Sequence, residues 1–536
     1  MFTSMSGGCK HAILGPMPAA TRSRDGITFF TSILRPDGRF VDSRSLLTAI
    51  FVTLSLLSCI ARGGADTSYD ETIYCRVSRM IWIRWQPTWY NNKDSPIFVD
   101  NPVAVPFILA PVAGVSDSWR ALRVSHWVAF VLPGLLTLAA VLRPHGTAAM
   151  TVGYSVLLLN WNQTLSAAYV SLDQGLSSWG FLALVCFASK QRSFLGIAAL
   201  VIATLCKYQA VVLCCALLFC AVDLRTWRAL VLYGAASGAA MLAWLIYSCC
   251  FAGSLGTHDL FSRFQLGTVF FDAVRETRGQ TFWRVMLTGV SGLCIPAVIT
   301  AALGAFRGWH EAIARTCVYF LVLTFVFNCV SAALPGGFSY YLTPMYLPIA
   351  ACAGMLFRRR IVALNWGLLT LVGAAVKAFL PLPMTMTVLF GAVLAVIGAL
   401  LLIYRRPIGE VVLLASVVVY SLPFGIAPVA FSKEPDEDLR RLVNACIHDG
   451  RTVGTWRDPR VEFYCGNGEG IQAYCHDTWE KVDDFILRSN GVSGAFDSER
   501  WSRFKQFLEV GYRMDCQSGR YTRYVKIGEE VAPDAM

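Results

Sequence analysis

Long apolar runs separated by short polar turns fill the chain as far as residue 431. A membrane helix needs about 20 mostly apolar residues to cross ~30 Å of hydrocarbon. Runs that reach or approach this length lie at Leu46–Ala61, Val124–Leu142, Thr147–Leu165, Leu176–Ser189, Phe194–Cys206, Ala210–Val222, Ala229–Phe251, Val285–Phe306, Ile313–Leu334, Tyr341–Phe357, Ile361–Leu380, Thr385–Tyr404 and Glu410–Phe431. They predict a polytopic α-helical membrane domain over residues 45–431 with about thirteen spans. Residues 62–122 form a long first loop containing Pro87, Pro96, Pro102, Pro106 and Pro111. Its one apolar stretch, Val103–Val115, is short and proline-broken, which predicts a juxtamembrane or re-entrant piece. Phe194–Cys206 and Ala210–Val222 are also short. One continuous helix would leave Lys207 in mid-membrane at a cost of roughly 2.5 kcal/mol or more, so a hairpin is expected.

The pattern changes after Phe431. Residues 432–536 are polar and charged, with strand-like Arg451–Trp456 and Val461–Cys465, Gly-rich turns, a helical stretch near Ser498–Val510 and a last strand at Tyr521–Ile527. This predicts a small α/β domain. No solenoid repeat is present.

Composition supports the membrane assignment: 55% of the residues are hydrophobic and only 15% charged, and the mean hydropathy is +0.52. The formal net charge is +11. Its basic residues are scattered between apolar runs instead of gathered on a soluble face, which argues against nucleic acid as a partner. With residues 1–44 as a cytoplasmic lead-in, Lys190/Arg192, Arg225/Arg228, Arg307/Arg315, Arg358–Arg360 and Arg405/Arg406 all fall on the cytoplasmic side, as the positive-inside bias requires. The α/β domain is then extracytoplasmic. Many of the 18 cysteines sit in apolar runs as small hydrophobes. Cys446, Cys465, Cys475 and Cys516 lie in polar surroundings, where an oxidising compartment would permit disulfides of undefined pairing. No spacing reads as a zinc site.

This topology puts the unusual charges on the outer face. The first loop carries Asp70, Glu71 and Asp100, the end of a later helix carries Asp173, and a loop over Phe261–Trp283 carries Arg263. Carboxylates and cations sharing one membrane face suit an anionic headgroup and a proton acceptor. Plain structural roles compete. Asp70 and Glu71 can begin a helix whose dipole they complement. Asp173 can cap one, and Lys207 can snorkel to headgroups. Tyr340 and Tyr341 can be belt aromatics, and Arg263 a surface anchor.

The motifs share an order. Tyr69-Asp70-Glu71-Thr-Ile-Tyr74 resembles the Asp-Glu-x-x-Tyr motif of GT-C glycosyltransferases, the superfamily of protein O-mannosyltransferases and lipid A aminoarabinose transferases. Asp100-Asn101-Pro102 is similar to their Glu/His-Lys-Pro-Pro element, Ser171-Leu-Asp173-Gln to their Leu-Asp/Pro-Asp turn, and Leu205-Cys-Lys207 to their Leu-Thr-Lys. Phe338-Ser-Tyr-Tyr341-Leu-Thr-Pro344 resembles their Arg-Tyr-Leu-Leu-Pro, with Tyr340 in place of the arginine. Asn101 and Val103 likewise replace the Lys/His and second Pro of the loop element.

The resemblance implies a polyprenyl-phosphate sugar donor and a lipid, glycan or protein acceptor, with Asp70 as general base in an inverting displacement. Glu71 and Asp173 would orient Asp70 or the acceptor, and Lys207 with Arg263 would neutralise the lipid phosphate. Tyr340 and Tyr341 would contact substrate. Asp100 would bind acceptor, sugar or a divalent ion; no other cofactor is implied.

A transporter or flippase of a lipid-linked or anionic substrate is the main rival. It predicts inverted repeats and broken helices meeting at the midplane, and no such pairing is visible. A polysaccharide polymerase or ligase would carry its large outer loop late in the chain. A receptor or scaffold would depend wholly on residues 432–536, whereas a transferase lacking them would keep residual activity. A tag inserted between Ser68 and Tyr69 is expected to be accessible from outside intact cells, and one after Arg406 only after permeabilisation. The reverse pattern would overturn this topology.

Overall fold

A computed structural model of the protein describes residues 43–61, 69–85, 102–116, 118–160, 167–189, 194–252, 293–332, 339–357, 384–404, 408–421, 436–456, 459–464, 470–472, 476–488 and 498–527. The opening helix, α1 (Ser43–Ala61), is followed by α2 (Tyr69–Arg84) and α3 (Ala104–Val115). The last is the proline-broken stretch of the first loop. Its 12 residues span about 18 Å, too short to cross a bilayer. It packs on α2, and the Arg79 guanidinium donates to the Ala113 carbonyl at 3.2 Å.

The next rod starts with α4 (Trp119–His126), passes through a wide π-type turn at Trp127–Val131 and continues as α5 (Leu132–Leu142). Ser118 caps its start by accepting from the Ala121 amide. Further helices are α6 (Thr147–Leu159), α7 (Leu172–Ala188), α8 (Phe194–Cys206), α9 (Ala210–Leu224), α10 (Trp227–Ala252), α11 (Ile295–Arg307) and α12 (Ala312–Ala332). A 3-10 helix at Ser339–Met345 then leads into α13 (Tyr346–Leu356), and α14 (Met384–Ile403) and α15 (Ile408–Ser421) complete the apolar set. Among the described residues, three segments are long and apolar enough to cross a membrane by length and composition: Ser43–Ile60, Trp119–His145 and Trp227–Tyr247. The expected span at Ile361–Leu380 lies outside the described residues.

The hairpin expected at Lys207 is present. Gly175 near the start of α7 lies against Cys206 at the end of α8, so closely that a Cβ there would stand 2.6 Å from the sulfur. Gly180, further along α7, faces Leu213 of α9. The chain therefore approaches the start of α7 along α8, turns at residues 207–209 and leaves along α9. That turn is closed by short-range bonds such as Ala210 N–H to the Lys207 carbonyl at 3.0 Å.

Charged groups divide between the two ends of the bundle. Asp173 and Lys207 mark one end. The other carries His145–Glu311 at 3.2 Å, Asp223–Arg315 at 2.6 Å and Arg307–Glu410 at 3.7 Å. Arg307 and Arg315, expected on one face from charge bias, are thus together and opposite Lys207. Lys190, Arg192, Arg358–Arg360, Arg405 and Arg406 lie outside the described residues.

The C-terminal part adds α16 (Glu437–His448), β1 (Val453–Thr455), α17 (Pro459–Tyr464), β2 (Gly470–Gln472), a 3-10 turn at His476–Lys481, β3 (Asp484–Arg488), α18 (Ser498–Gly511), β4 (Tyr512–Ser518) and β5 (Tyr521–Lys526). The sheet order is β2-β1-β3-β5-β4, parallel among β1, β2 and β3 and antiparallel at β3–β5 and β4–β5. Asp484 is buried and takes both Arg451 at 3.0 Å and Arg523 at 2.7 Å, which ties three segments of the sheet together. The stretch from Val461, strand-like by composition, is helical instead. Pro459 pre-sets the backbone angle of the first helical residue, and the short helix lies on α2. Cys446 is buried and Cys516 half-buried; Cys465 and Cys475 lie outside the described residues.

The sheet does not stand apart from the bundle. One continuous core runs from Cys75, Trp119 and Leu122 of the first-loop region to Leu439, Val443, Val461, Tyr464 and Ile486. The Trp119 indole N–H donates to the Tyr464 hydroxyl at 2.5 Å. Burial pushes the Tyr464 phenol above its ordinary range, and Asp436 nearby adds to the shift. Removing residues 432–536 would therefore uncover Trp119, Leu122 and Cys75, and the residual activity expected from sequence does not follow. Such a truncation is expected to yield little folded protein, read as loss of a monodisperse peak in detergent. A well-behaved truncated protein would show the shared core to be dispensable.

Candidate functional site

Helix α2 begins at Tyr69, placing Asp70 and Glu71 in its first turn. Glu71 is fully buried. Both its oxygens accept from Arg123 of α4 at 2.8 Å, and neither side chain is exposed. Glu71 Oε1 also accepts from the Val170 amide at 3.1 Å. A bidentate carboxylate–guanidinium fork is the strongest geometry open to such a pair, and the backbone N–H takes up a further lone pair. The Arg123 guanidinium lies 4.7 Å from the centre of the Tyr169 ring, a cation–π contact.

The next residues continue the seam. The Ser171 amide donates to His126 Nε2 at 3.2 Å, and the Ser171 carbonyl lies 3.1 Å from the same nitrogen. Ser171 Oγ accepts from the Asp173 amide and caps α7. Asp173 is buried and accepts from Lys207 Nζ at 2.6 Å. Tyr169 to Asp173 is thus pinned by α4 through Arg123 and His126, by α2 through Glu71, and by the α8–α9 turn through Lys207. The Glu71–Arg123 and Asp173–Lys207 ion pairs are joined by one five-residue strip.

Asp173 is expected from sequence either to cap a helix or to serve substrate; Ser171 supplies the cap of α7, and the Asp173 carboxylate grips Lys207. The backbone of Tyr340 and Tyr341 lies at the start of the Ser339–Met345 turn. The carbonyl of Thr343 accepts from Ser177 Oγ, one helical turn beyond Asp173, at 3.3 Å. The side chains of Asp70, Tyr340 and Tyr341, and the whole of Asp100 and Arg263, lie outside the described residues. Among the described residues no cluster of three or more His, Cys, Asp or Glu side chains could hold a metal.

Arg123 and His126 were not singled out in the sequence. A signal was there: Trp119, Arg123 and His126 stand at i, i+4 and i+7 of Trp-Arg-Ala-Leu-Arg-Val-Ser-His and so share one helix face. A cation and an imidazole on that face, at the mouth of an apolar rod, are costly unless paired.

No protein-family model matches the sequence, and no curated protein matches it. Among solved structures the chain is similar to ArnT from Cupriavidus metallidurans in the apo state, with a TM-score of 0.60 and 15% identity over 90% of this chain and 98% of that one. It is also similar to ArnT from Cupriavidus metallidurans bound to undecaprenyl phosphate, with a TM-score of 0.58 and 13% identity over 91% and 99% of the two chains. The protein thus has the GT-C fold, that of a multi-pass helical membrane protein.

Breaking a buried ion pair costs about 3–5 kcal/mol, because the remaining charge is stranded. Glu71→Gln is expected to lower stability by that order, measured by thermal unfolding in detergent. The double variant Glu71→Met with Arg123→Met should lose less than either single change. Singles that unfold like the wild type would show that the pair is not buried as described.

Proposed function

We propose that the protein is a membrane glycosyltransferase that moves a sugar from a polyprenyl-phosphate donor to a hydroxyl or amine acceptor at the outer membrane face. The observation that carries this reading is the strip 169–173. It couples the helix bearing Asp70 to the Asp173–Lys207 pair at one end of a GT-C bundle. A carboxylate and a lysine sharing one membrane face supply the two groups that displacement from a lipid phosphate needs.

The acceptor O–H or N–H gives its proton to the Asp70 carboxylate. The acceptor lone pair forms the new bond to the anomeric carbon as the carbon–oxygen bond to phosphate breaks. The bonding electrons leave with the lipid phosphate, and the anomeric centre inverts. A positioned carboxylate base contributes about 10²–10⁴-fold to such a step. The phosphate is already a good leaving group, so the enzyme holds and neutralises it. Lys207 has that role, with Arg263 as a second cation. The ammonium has three N–H donors, so its bond to Asp173 sets its direction and is compatible with a phosphate oxygen as a further partner.

Glu71 acts on Asp70 indirectly: clamped by Arg123, it fixes the first turn of α2. Tyr340 and Tyr341 stand where their turn meets α7 and contact substrate. Asp100 binds acceptor, sugar or a divalent ion. One solved relative in fold, ArnT, is bound to undecaprenyl phosphate, and this supports a lipid of the same chemical class as donor carrier here. A bacterial inner membrane with the catalytic face outward fits the charge bias of the turns.

Asp70→Asn is expected to reduce transfer about 10²–10⁴-fold while leaving expression and unfolding temperature unchanged. Lys207→Ala should weaken donor binding far more than acceptor binding. Near-normal turnover by Asp70→Asn with a polyprenyl-phosphate donor would remove Asp70 as the base, and equal effects of Lys207→Ala on both substrates would remove the phosphate contact.

A further inference from the structure

Threonines inside this bundle usually return their hydroxyl to the carbonyl four residues back. Thr48, Thr137, Thr151, Thr300 and Thr316 all do so, at 2.7–2.9 Å. Thr324 of α12 does not. It is 1% exposed, and its Oγ1 has no hydrogen-bond partner. One turn later Asn328, also 1% exposed, has an Oδ1 without a partner. A bilayer offers no water to such groups, so an orphaned oxygen in the middle of a membrane helix is costly, and polar groups kept there are generally functional.

Their position follows from helix geometry. The free thiols of Cys317 in α12 and Cys352 in α13 lie within hydrogen-bond reach of each other. Thr324 and Asn328 are seven and eleven residues further on, within about 20° of the same face at 100° per residue. Helix α12 rises from Glu311, at the far end of the bundle, toward the end that holds Asp173, and α13 runs the other way. Moving up from Cys352 by the same rise reaches the Ser339–Met345 turn, on which α12 packs. Thr343 of that turn meets Ser177 of α7, and Ser177 lies one turn below Asp173. Buried Gln174 and Ser178 continue the polar surface of α7 and bond to each other at 3.2 Å. By this geometry Thr324 and Asn328 lie on the face of α12 nearest that turn and at its height, and the turn itself meets the polar surface of α7 one turn below Asp173.

We propose that Thr324 and Asn328 form the subsite for the sugar ring of the lipid-linked donor, accepting hydrogen bonds from its hydroxyl or amino groups. This rests on the transferase reading. With the phosphate at Lys207, the group bonded to it has to occupy adjoining space, and a sugar brings the O–H or N–H donors that the two oxygens lack. Both residues set specificity and take no part in bond making.

The test uses full-length protein in nanodiscs, with undecaprenyl phosphate and its glucose, mannose, arabinose and 4-aminoarabinose esters as probes. The wild type is expected to bind at least one ester about tenfold tighter than undecaprenyl phosphate, two ordinary hydrogen bonds being worth about that factor. In Thr324→Val with Asn328→Leu this preference should fall to near one. Affinity for undecaprenyl phosphate should stay within about twofold, and the unfolding temperature should hold or rise because two unsatisfied groups are gone. A variant that keeps the preference, loses undecaprenyl phosphate equally, or comes from a wild type with no preference for any ester overturns the subsite. A wild type that fails to bind undecaprenyl phosphate at all overturns the transferase reading and the subsite with it.

Discussion

Glu71 and Arg123, buried face to face, set the geometry of everything at their end of the bundle. Either charge alone would be ruinous in that environment, and together they are tolerable only with every strong donor and acceptor engaged. Hence the fork, the Val170 amide and the Tyr169 ring around the pair. The consequence is directional. Because the carboxylate holds a backbone amide as well as the guanidinium, the strip leading to Asp173 cannot move without disturbing the pair. Lys207, reached through Asp173, inherits its position from two residues far from it in sequence.

The two ends of the bundle use charge differently. At the far end Asp223–Arg315 and Arg307–Glu410 are partly solvated, and pairs of that kind contribute little net stability. Their value is topological, keeping basic residues on one side. At the site end the charges are sealed in and hydrogen-bonded to the backbone, so they define geometry. The C-terminal sheet reinforces that end from outside: Tyr464 closes on Trp119, one helical turn before Arg123.

Much of this was legible in the sequence, and the reasons differ by residue. The apolar runs announce the bundle, because crossing hydrocarbon demands length and apolarity together. The hairpin at Lys207 was readable because the alternative strands an ammonium in mid-membrane, and the observed turn at 207–209 agrees. Asp173 and Glu71 stood out as acids beside apolar helices. Arg123 did not, since an arginine at the mouth of a span looks like an orientation signal until a partner 52 residues away is known. The strand expected from Val461 failed for a similar reason: β-branched and aromatic composition is a weak guide when a proline sets the first dihedral and an external helix supplies the packing surface. The continuity of the sheet with the bundle core had no local signal at all.

The wide turn at Trp127–Val131 lets one rod present two unrelated interfaces. An extra residue in a helix advances its angular phase by about 100°. Trp119, Arg123 and His126 before the turn face the polar seam, whereas Leu135, Leu138 and Leu142 after it join the apolar interior. Removing one exposed residue within 127–131, such as Val128, would let the rod close into a uniform spiral at the loss of a single surface side chain. It would also swing Arg123 and His126 away from their counterparts, leaving the bundle well formed and its polar end unassembled.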